Sequence, residues 1–139
     1  MSVMAPKLRP RDAIKVFAIG GVHVSDQMLQ LARLRSRHPG GVPTLEPDAW
    51  SAAFAGSKIV AALGYIQEKP GMLMVVEVDR TIDHWGRLGT LVLIREFIYQ
   101  AELRNLRVQA MILPSNESLK KALTENGAKC VVEIWERPK

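Results

Sequence analysis

Cysteine and histidine are scarce in this sequence of 139 residues. The single cysteine, Cys130, excludes an internal disulfide and any zinc cluster built from several thiolates. The three histidines, His23, His38 and His84, do not have the spacing of metal ligands. We therefore expect no metal site, and the lone thiol favours a reducing compartment such as the cytoplasm.

Long apolar segments are also absent. The longest, residues 59–66, is far shorter than the ~18–20 residues that cross a bilayer. Proline and arginine stand near the N-terminus, where a secretory signal peptide would have an apolar stretch. Hydrophobic residues make up 47% of the chain and charged residues 24%. This composition predicts one soluble domain over residues 1–139, with no export signal and no contact with a membrane.

Acidic residues are almost missing from the N-terminal part. Residues 1–41 hold seven basic and two acidic side chains, whereas residues 42–139 hold twelve of each, so the net charge of +5 lies entirely in the first part. The candidate partner-binding residues are Arg9, Arg11, Arg33, Arg35 and Arg37. Such a face favours an acidic or neutral partner over a cationic one. Nucleic acid stays open although no nucleic-acid motif is present, and arginines at a helix end can also simply balance the helix dipole.

A Pro- and Gly-rich segment, residues 38–43, separates a basic helical part, residues 1–41, from a strand-rich core, residues 42–139. Residues 25–37 are predicted to be a helix, residues 7–9 an edge strand, and residues 12–19 either a helix or a strand. In the core, the patterns predict strands at residues 49–55, 58–67, 72–80, 107–113 and 130–135, and helices at residues 88–104 and 116–125.

This order of elements resembles the GNAT superfamily of N-acetyltransferases over nearly the whole chain. The resemblance implies an α/β (α+β) fold: a mixed, mostly antiparallel sheet with a central pair of splayed parallel strands, flanked by about four helices. The parallel pair would be residues 72–80 and 107–113. In this family acetyl-CoA lies between the two strands, with its pyrophosphate on backbone N–H groups at the start of the long helix, a place that favours anions.

Two features depart from the family pattern. The glycine-rich loop before the long helix aligns with residues 84–89, where His84 replaces an Arg or Gln and Arg87 replaces the first glycine. In many family members a tyrosine on the short helix protonates the leaving thiolate. Leu123 stands at that position and cannot donate a proton.

The resemblance also assigns the candidate site. Glu77 lies on the first of the two splayed parallel strands, beside the expected acetyl-CoA, and is the first candidate for the base. Its apolar neighbours would raise its pKa if it faced inward. Alternatively it faces solvent or pairs with a basic residue of a neighbouring strand. His84 is a second candidate base, Asp83 a weaker one. The candidate cofactor-binding residues are Val76, Val78, Gly86, Arg87, Leu88, Gly89, Thr90 and Asn116. The glycines could instead belong to an ordinary turn before a helix.

Two functions follow from this resemblance. The first is N-acetyl transfer from acetyl-CoA to an unknown, non-cationic acceptor. The alternative is a catalytically inactive GNAT-fold protein that serves in binding or assembly. The short GNAT-like virion or accessory proteins of tailed bacteriophages are similar in size and in their eroded motif, which would place the chain in a virion.

Overall fold

The computed structural model describes residues 13–19, 24–36, 46–110 and 117–127. In chain order the elements are β1 (Ile14–Ala18), α1 (Val24–Arg35), β2 (Ala49–Ala55), β3 (Lys58–Lys69), β4 (Met72–Arg80), α2 (His84–Leu103), β5 (Arg107–Ala110) and α3 (Glu117–Glu125). The strands form one sheet in the order β1 to β5, antiparallel throughout except for the parallel pair of β4 and β5. The predicted mixed sheet with one parallel pair is confirmed.

Most predicted elements lie where the sequence placed them. β2 and β4 have the predicted bounds, and Gly56 and Ser57 form the turn between β2 and β3. Residues 14–18, left open between helix and strand, form the edge strand β1. The start of the long helix was predicted wrongly, because α2 begins at His84 rather than at residue 88. The strands predicted at residues 7–9 and 130–135, and the end of the fifth strand at residues 111–113, lie outside the described residues.

The sheet is covered on both faces, and each face has its own apolar core. On one face α2 packs against the centre of the sheet, with a core that includes Leu63, Val75, Leu93, Ile94 and Phe97. On the other face α1 packs against β2 and β3, with a core of Leu31, Leu34, Ala52, Phe54, Ile59 and Ala62. β1, from the basic N-terminal part, pairs with β2, so the described residues of both parts share one sheet.

Near the middle of their ladder β4 contains one residue more than its partner β3, and near the turn β3 contains one more than β4, at residue 68. Val75 pairs with Tyr65 and Glu77 pairs with Gly64, the neighbouring residue of β3, so Val76 has no counterpart there. This arrangement is a β-bulge at Val76.

The bulge decides which face of the sheet each following side chain meets. In a regular strand, Val75 and Val78 would lie on opposite faces because they are an odd number of residues apart. Both pack in the α2 core, since the bulge absorbs one residue. The same shift turns Glu77 toward the other face, where it contacts Arg35 of α1.

Replacing each of two leucines of α2 with alanine tests which face of this helix packs into the core. Leu93 is fully buried and Leu91 is 46% exposed. We expect Leu93→Ala to lower the free energy of unfolding by about 2–5 kcal/mol because it leaves a cavity in the core. Leu91→Ala, the matched control, should change it by less than about 0.5 kcal/mol. Urea denaturation of both variants measures this, and equal losses would contradict the burial described above.

Candidate functional site

The best-defined polar contact inside the protein joins α1 to β4. Arg35 donates from Nε to Oε2 of Glu77 at 2.8 Å and from Nη2 to Oε1 at 2.9 Å. The Glu77 side chain is completely buried, whereas that of Arg35 is 26% exposed. Such a two-pronged pair fixes both the position and the orientation of the carboxylate. Glu77 therefore faces inward, and its partner is a helix arginine rather than a basic residue of a neighbouring strand.

Arg35 also has contacts on its outer side. Its Nη2 donates to both carboxylate oxygens of the exposed Glu46, at 3.0 and 3.1 Å. Its guanidinium lies 5.2 Å from the centre of the Trp50 ring, within the range of a cation–π contact. The hydrogen bonds with Glu77, and to a lesser extent those with Glu46, raise the pKa of Arg35 above its ordinary value although burial opposes them.

Asp79 lies two residues beyond Glu77 on β4 and is also buried. Burial is the main cause that raises the pKa of Asp79 to about 9, and a hydrogen bond with Glu77 and the charge of Glu77 raise it further. Arg35 acts in the opposite direction. At neutral pH Asp79 is therefore protonated and donates to Glu77, whose charge Arg35 balances. The three side chains form one network, in which Glu77 and Asp79 are buried and Arg35 is partly exposed.

The start of α2 carries its own cap. Asp83 is the N-cap residue, and its Oδ1 accepts from the backbone N–H of Gly86 at 2.9 Å and from the hydroxyl of Thr81 at 2.6 Å. These two bonds, with that of Thr81 the stronger, lower the pKa of Asp83. An ionised carboxylate at this place interacts favourably with the helix dipole.

The two glycines of α2 are required by packing. A Cβ atom at Gly86 would collide with the backbone carbonyl of Thr81, and one at Gly89 would lie 2.7 Å from Cγ2 of Val60. Thr90 closes the same turn, because its hydroxyl donates to the carbonyl of Gly86 at 2.8 Å. Both glycines lie inside α2, in close contact with Thr81 and Val60, and not in a turn before the helix.

A small apolar pocket lies between the parallel strands and the helices α2 and α3. Its volume is about 10 Å³, which is room for one methyl group or one water molecule. The lining residues are Leu63, Val75, Val78, Ile94, Phe97, Ile98, Val108, Ala110 and Leu123. Leu123, at the position where the family has its tyrosine, thus adjoins Val78, one of the predicted cofactor-binding residues.

The other predicted site residues are scattered. His84 and Arg87 are exposed in the first two turns of α2, and Leu88 packs on the α2 core. Arg33 is exposed on α1, whereas Arg35 directs its charge inward to Glu77. Asn116, Arg9, Arg11 and Arg37 lie outside the described residues.

Sequence reasoning missed Asp79 and the structural role of Arg35. The signal for Asp79 was present, since Glu77 and Asp79 alternate with valine in an otherwise apolar strand. The signal for Arg35 was its place in the helical period of the apolar residues Leu31 and Leu34. Two acids in a buried strand require a cation or a proton, and both are found here.

Among the described residues no group of three or more potential ligands could hold a metal ion. None of the described helices is long and apolar enough to cross a membrane.

Comparison with known proteins gives a clear result only at the level of structure. No protein-family model and no curated protein sequence matches this chain. An aminoglycoside acetyltransferase from an uncultured soil metagenomic sample, solved with sisomicin, superimposes with a TM-score of 0.63 at 15% identity. That match covers 94% of this chain and all of the other.

Two further structures agree with it. A protein of Novosphingobium aromaticivorans, assigned to the GNAT acetyltransferases, matches with a TM-score of 0.62 at 18% identity over 81% of this chain. This chain spans only half of that protein's length. A protein of Pyrococcus furiosus, assigned as an acetyltransferase, matches with a TM-score of 0.58 at 12% identity, over 91% of this chain and 99% of the other. The protein has a divergent GNAT-like fold.

The two carboxylates around Arg35 test where the stabilising contact lies. Glu77→Gln breaks the buried pair, and we expect it to lower the free energy of unfolding by about 3 kcal/mol, the low end for such a loss because Arg35 keeps Glu46. Glu46→Gln, on the exposed side of the same arginine, should cost less than about 1 kcal/mol. Urea denaturation compares them, and a larger loss in Glu46→Gln would refute the assignment.

The protonation of Asp79 predicts the pH dependence of stability. Between the usual pKa of 3.8 and about 9, the folded protein holds a proton that the unfolded chain has released. Stability therefore falls as pH rises through this range, by at most about 1.4 kcal/mol per pH unit. Asp79→Asn cannot ionise yet still donates to Glu77, so its stability should depend less on pH. Urea denaturation at several pH values measures this, and a slope in Asp79→Asn equal to that of the wild type would rule out this protonation.

Proposed function

We propose that the protein is a GNAT-like acyltransferase that passes the acetyl group of acetyl-CoA to a non-cationic acceptor. The bulge at Val76 carries this proposal. It directly follows the last described pair of the parallel ladder, Val75 with Ala110. Bulges recur beside active sites, where they end regular pairing and redirect backbone groups. A bulge at the end of a parallel pair, in a fold shared with acetyltransferases, is where a thioester carbonyl would find a backbone donor.

The described residues fit the thioester end of acetyl-CoA. The pocket beside the bulge is apolar and has the size of a methyl group, and Val78, Ala110 and Leu123 line it. They do not fit the diphosphate in its usual place, because the Asp83 carboxylate already binds the start of α2. Val76 and Val78 are thus the residues that would hold the acyl end.

When bound, acetyl-CoA supplies an acetyl group as a thioester, whose carbonyl carbon accepts the nucleophile and whose thiolate leaves. We assign to the backbone N–H of Val76 the hydrogen bond that would polarise this carbonyl, a role that fixed backbone donors perform well. Val78 and Leu123 would exclude water from the acyl group. Leu123 supplies no proton to the thiolate, so that proton must come from solvent or from the acceptor.

The buried network restricts the acceptor. Both oxygens of Glu77 are bonded to Arg35, and Asp79 already holds a proton at neutral pH. Neither group is ready to take a proton from an ammonium ion. This supports an acceptor whose nucleophile is neutral before it binds, in agreement with the basic charge of the N-terminal part. The prediction that Glu77 acts directly as a base would require Arg35 to release it.

Two observations favour a second function, that of a catalytically inactive GNAT-fold protein for binding or assembly. Leu123 replaces the proton donor, and Asp83 closes the usual anchor of the cofactor. Membership of a bacteriophage virion, one form of this second function, stays a prediction, as does a cytoplasmic location.

Thermal unfolding and an acetyl-transfer assay decide between the two functions. If acetyl-CoA binds the folded protein, its melting temperature rises with ligand, by the equivalent of about 2.7 kcal/mol at 100 times Kd. Transfer is then expected to weakly basic amines, which are neutral at assay pH, and not to polyamines. Absence of both a shift and transfer at millimolar acetyl-CoA would reject the acyltransferase and leave the second function.

A further inference from the structure

We infer that Asp83 closes the start of α2 to the diphosphate of an acyl-CoA, so that a thioester donor is selected by its acyl arm and not by its nucleotide. The choice of donor rests on the proposed function, whereas the closure itself rests on the geometry around Asp83 alone.

The carboxylate of Asp83 already takes one of the contacts that an anion would seek. A helix exposes unpaired N–H groups in its first turn. Here Oδ1 of Asp83 accepts from Gly86 N, and the hydroxyl of Thr81 donates to the same oxygen. The backbone carbonyl of Asp83 lies 3.3 Å from the N–H of Arg87. A diphosphate would have to displace the carboxylate or lie beside it.

Displacement is opposed by how firmly the cap is held. The hydroxyl of Thr81 and the N–H of Gly86 keep the carboxylate ionised, and Lys58 adds a favourable charge. Thr81 is itself fixed, since its N–H donates to the carbonyl of Val60 at 2.9 Å. Lying beside the cap is opposed by repulsion between the Asp83 carboxylate and the diphosphate, which is screened by salt because Asp83 is exposed.

The surroundings of the cap are poorly suited to a phosphate as well. The connection from β4 to α2 comprises only residues 81–83, and Gly86 has the carbonyl of Thr81 directly over its Cα atom. Ile82 is 82% exposed and the Trp85 indole is 38% exposed. The surface at this helix start therefore combines a carbonyl, a carboxylate and two apolar side chains with the exposed His84 and Arg87, of which Arg87 is the cation that would still attract a phosphate.

The closure is tested with inorganic pyrophosphate on the full chain, following the backbone amide signals of residues 84–86 by NMR. Two variants are compared with the wild type. Asp83→Asn keeps the acceptor oxygen and removes the charge, whereas Asp83→Gly vacates the cap at a cost of a few tenths of a kcal/mol in helix capping. We expect pyrophosphate to cause no saturable shift in the wild type. Asp83→Gly should bind pyrophosphate saturably, at least about tenfold more tightly than the wild type. Asp83→Asn should lie between them.

Saturable shifts in the wild type with the same Kd as in the variants would overturn the inference. So would an absence of binding in both variants, because the charge of Asp83 would then not be what closes this helix start. Circular dichroism of each variant establishes that it is folded.

A second titration, by calorimetry, separates this inference from the proposed function. Acetyl-CoA and S-acetylpantetheine, which lacks the diphosphate, should bind the wild type within about threefold of each other. Asp83→Gly should increase the affinity for acetyl-CoA and leave the affinity for S-acetylpantetheine unchanged. A wild-type preference for acetyl-CoA of about 100-fold would overturn the inference. If neither donor binds any of the proteins, the proposed function fails, and the pyrophosphate titration still decides whether Asp83 closes the helix start.

Discussion

Val76 adds one residue to β4 relative to β3, and the arrangement of both faces of the sheet depends on that residue. Without the bulge, Glu77 would share a face with Val75 and would enter the apolar core beneath α2. With it, Val78 fills that core and the two acids meet α1. The same bulge lies at the end of the described parallel pairing. The proposed function places the contact between the acyl group and the backbone there.

The acids on β4 then determine how α1 is held. Glu77 needs a charged partner once it is buried, and Arg35 provides it through two hydrogen bonds. Asp79 stays neutral because burial raises its pKa, and the hydrogen bond with Glu77 and the charge of Glu77 raise it further. Part of the positive charge of the N-terminal part is therefore used inside the molecule. Arg33 is the described arginine of that cluster that remains exposed for a partner.

Much of the fold could be predicted from the sequence because its local signals agree. The bounds of β2 and β4 followed from apolar runs and turn residues, and the parallel pair followed from the GNAT resemblance. The first residue of α2 was not predicted correctly, because glycines such as Gly86 and Gly89 are typical of loops. They are helical here because close packing against Thr81 and Val60 requires glycine.

The site was harder to predict for a related reason. No glycine in β4 marks the bulge at Val76, so alternation along β4 could not reveal which face Glu77 would meet. The partner of Glu77 is 42 residues away in α1, and no local pattern links them. The raised pKa of Asp79 depends on that same long-range burial. Asp83 could have been recognised, because an aspartate before a helix is a common cap.

Amide hydrogen exchange at Val76, with and without acetyl-CoA, tests the assignment of the bulge as the acyl contact most directly. Bound thioester should slow exchange at Val76 by at least about tenfold, while Met74, which is paired on both sides in the same strand, should be unchanged. Unaltered exchange at Val76 in the presence of saturating acetyl-CoA would contradict the account.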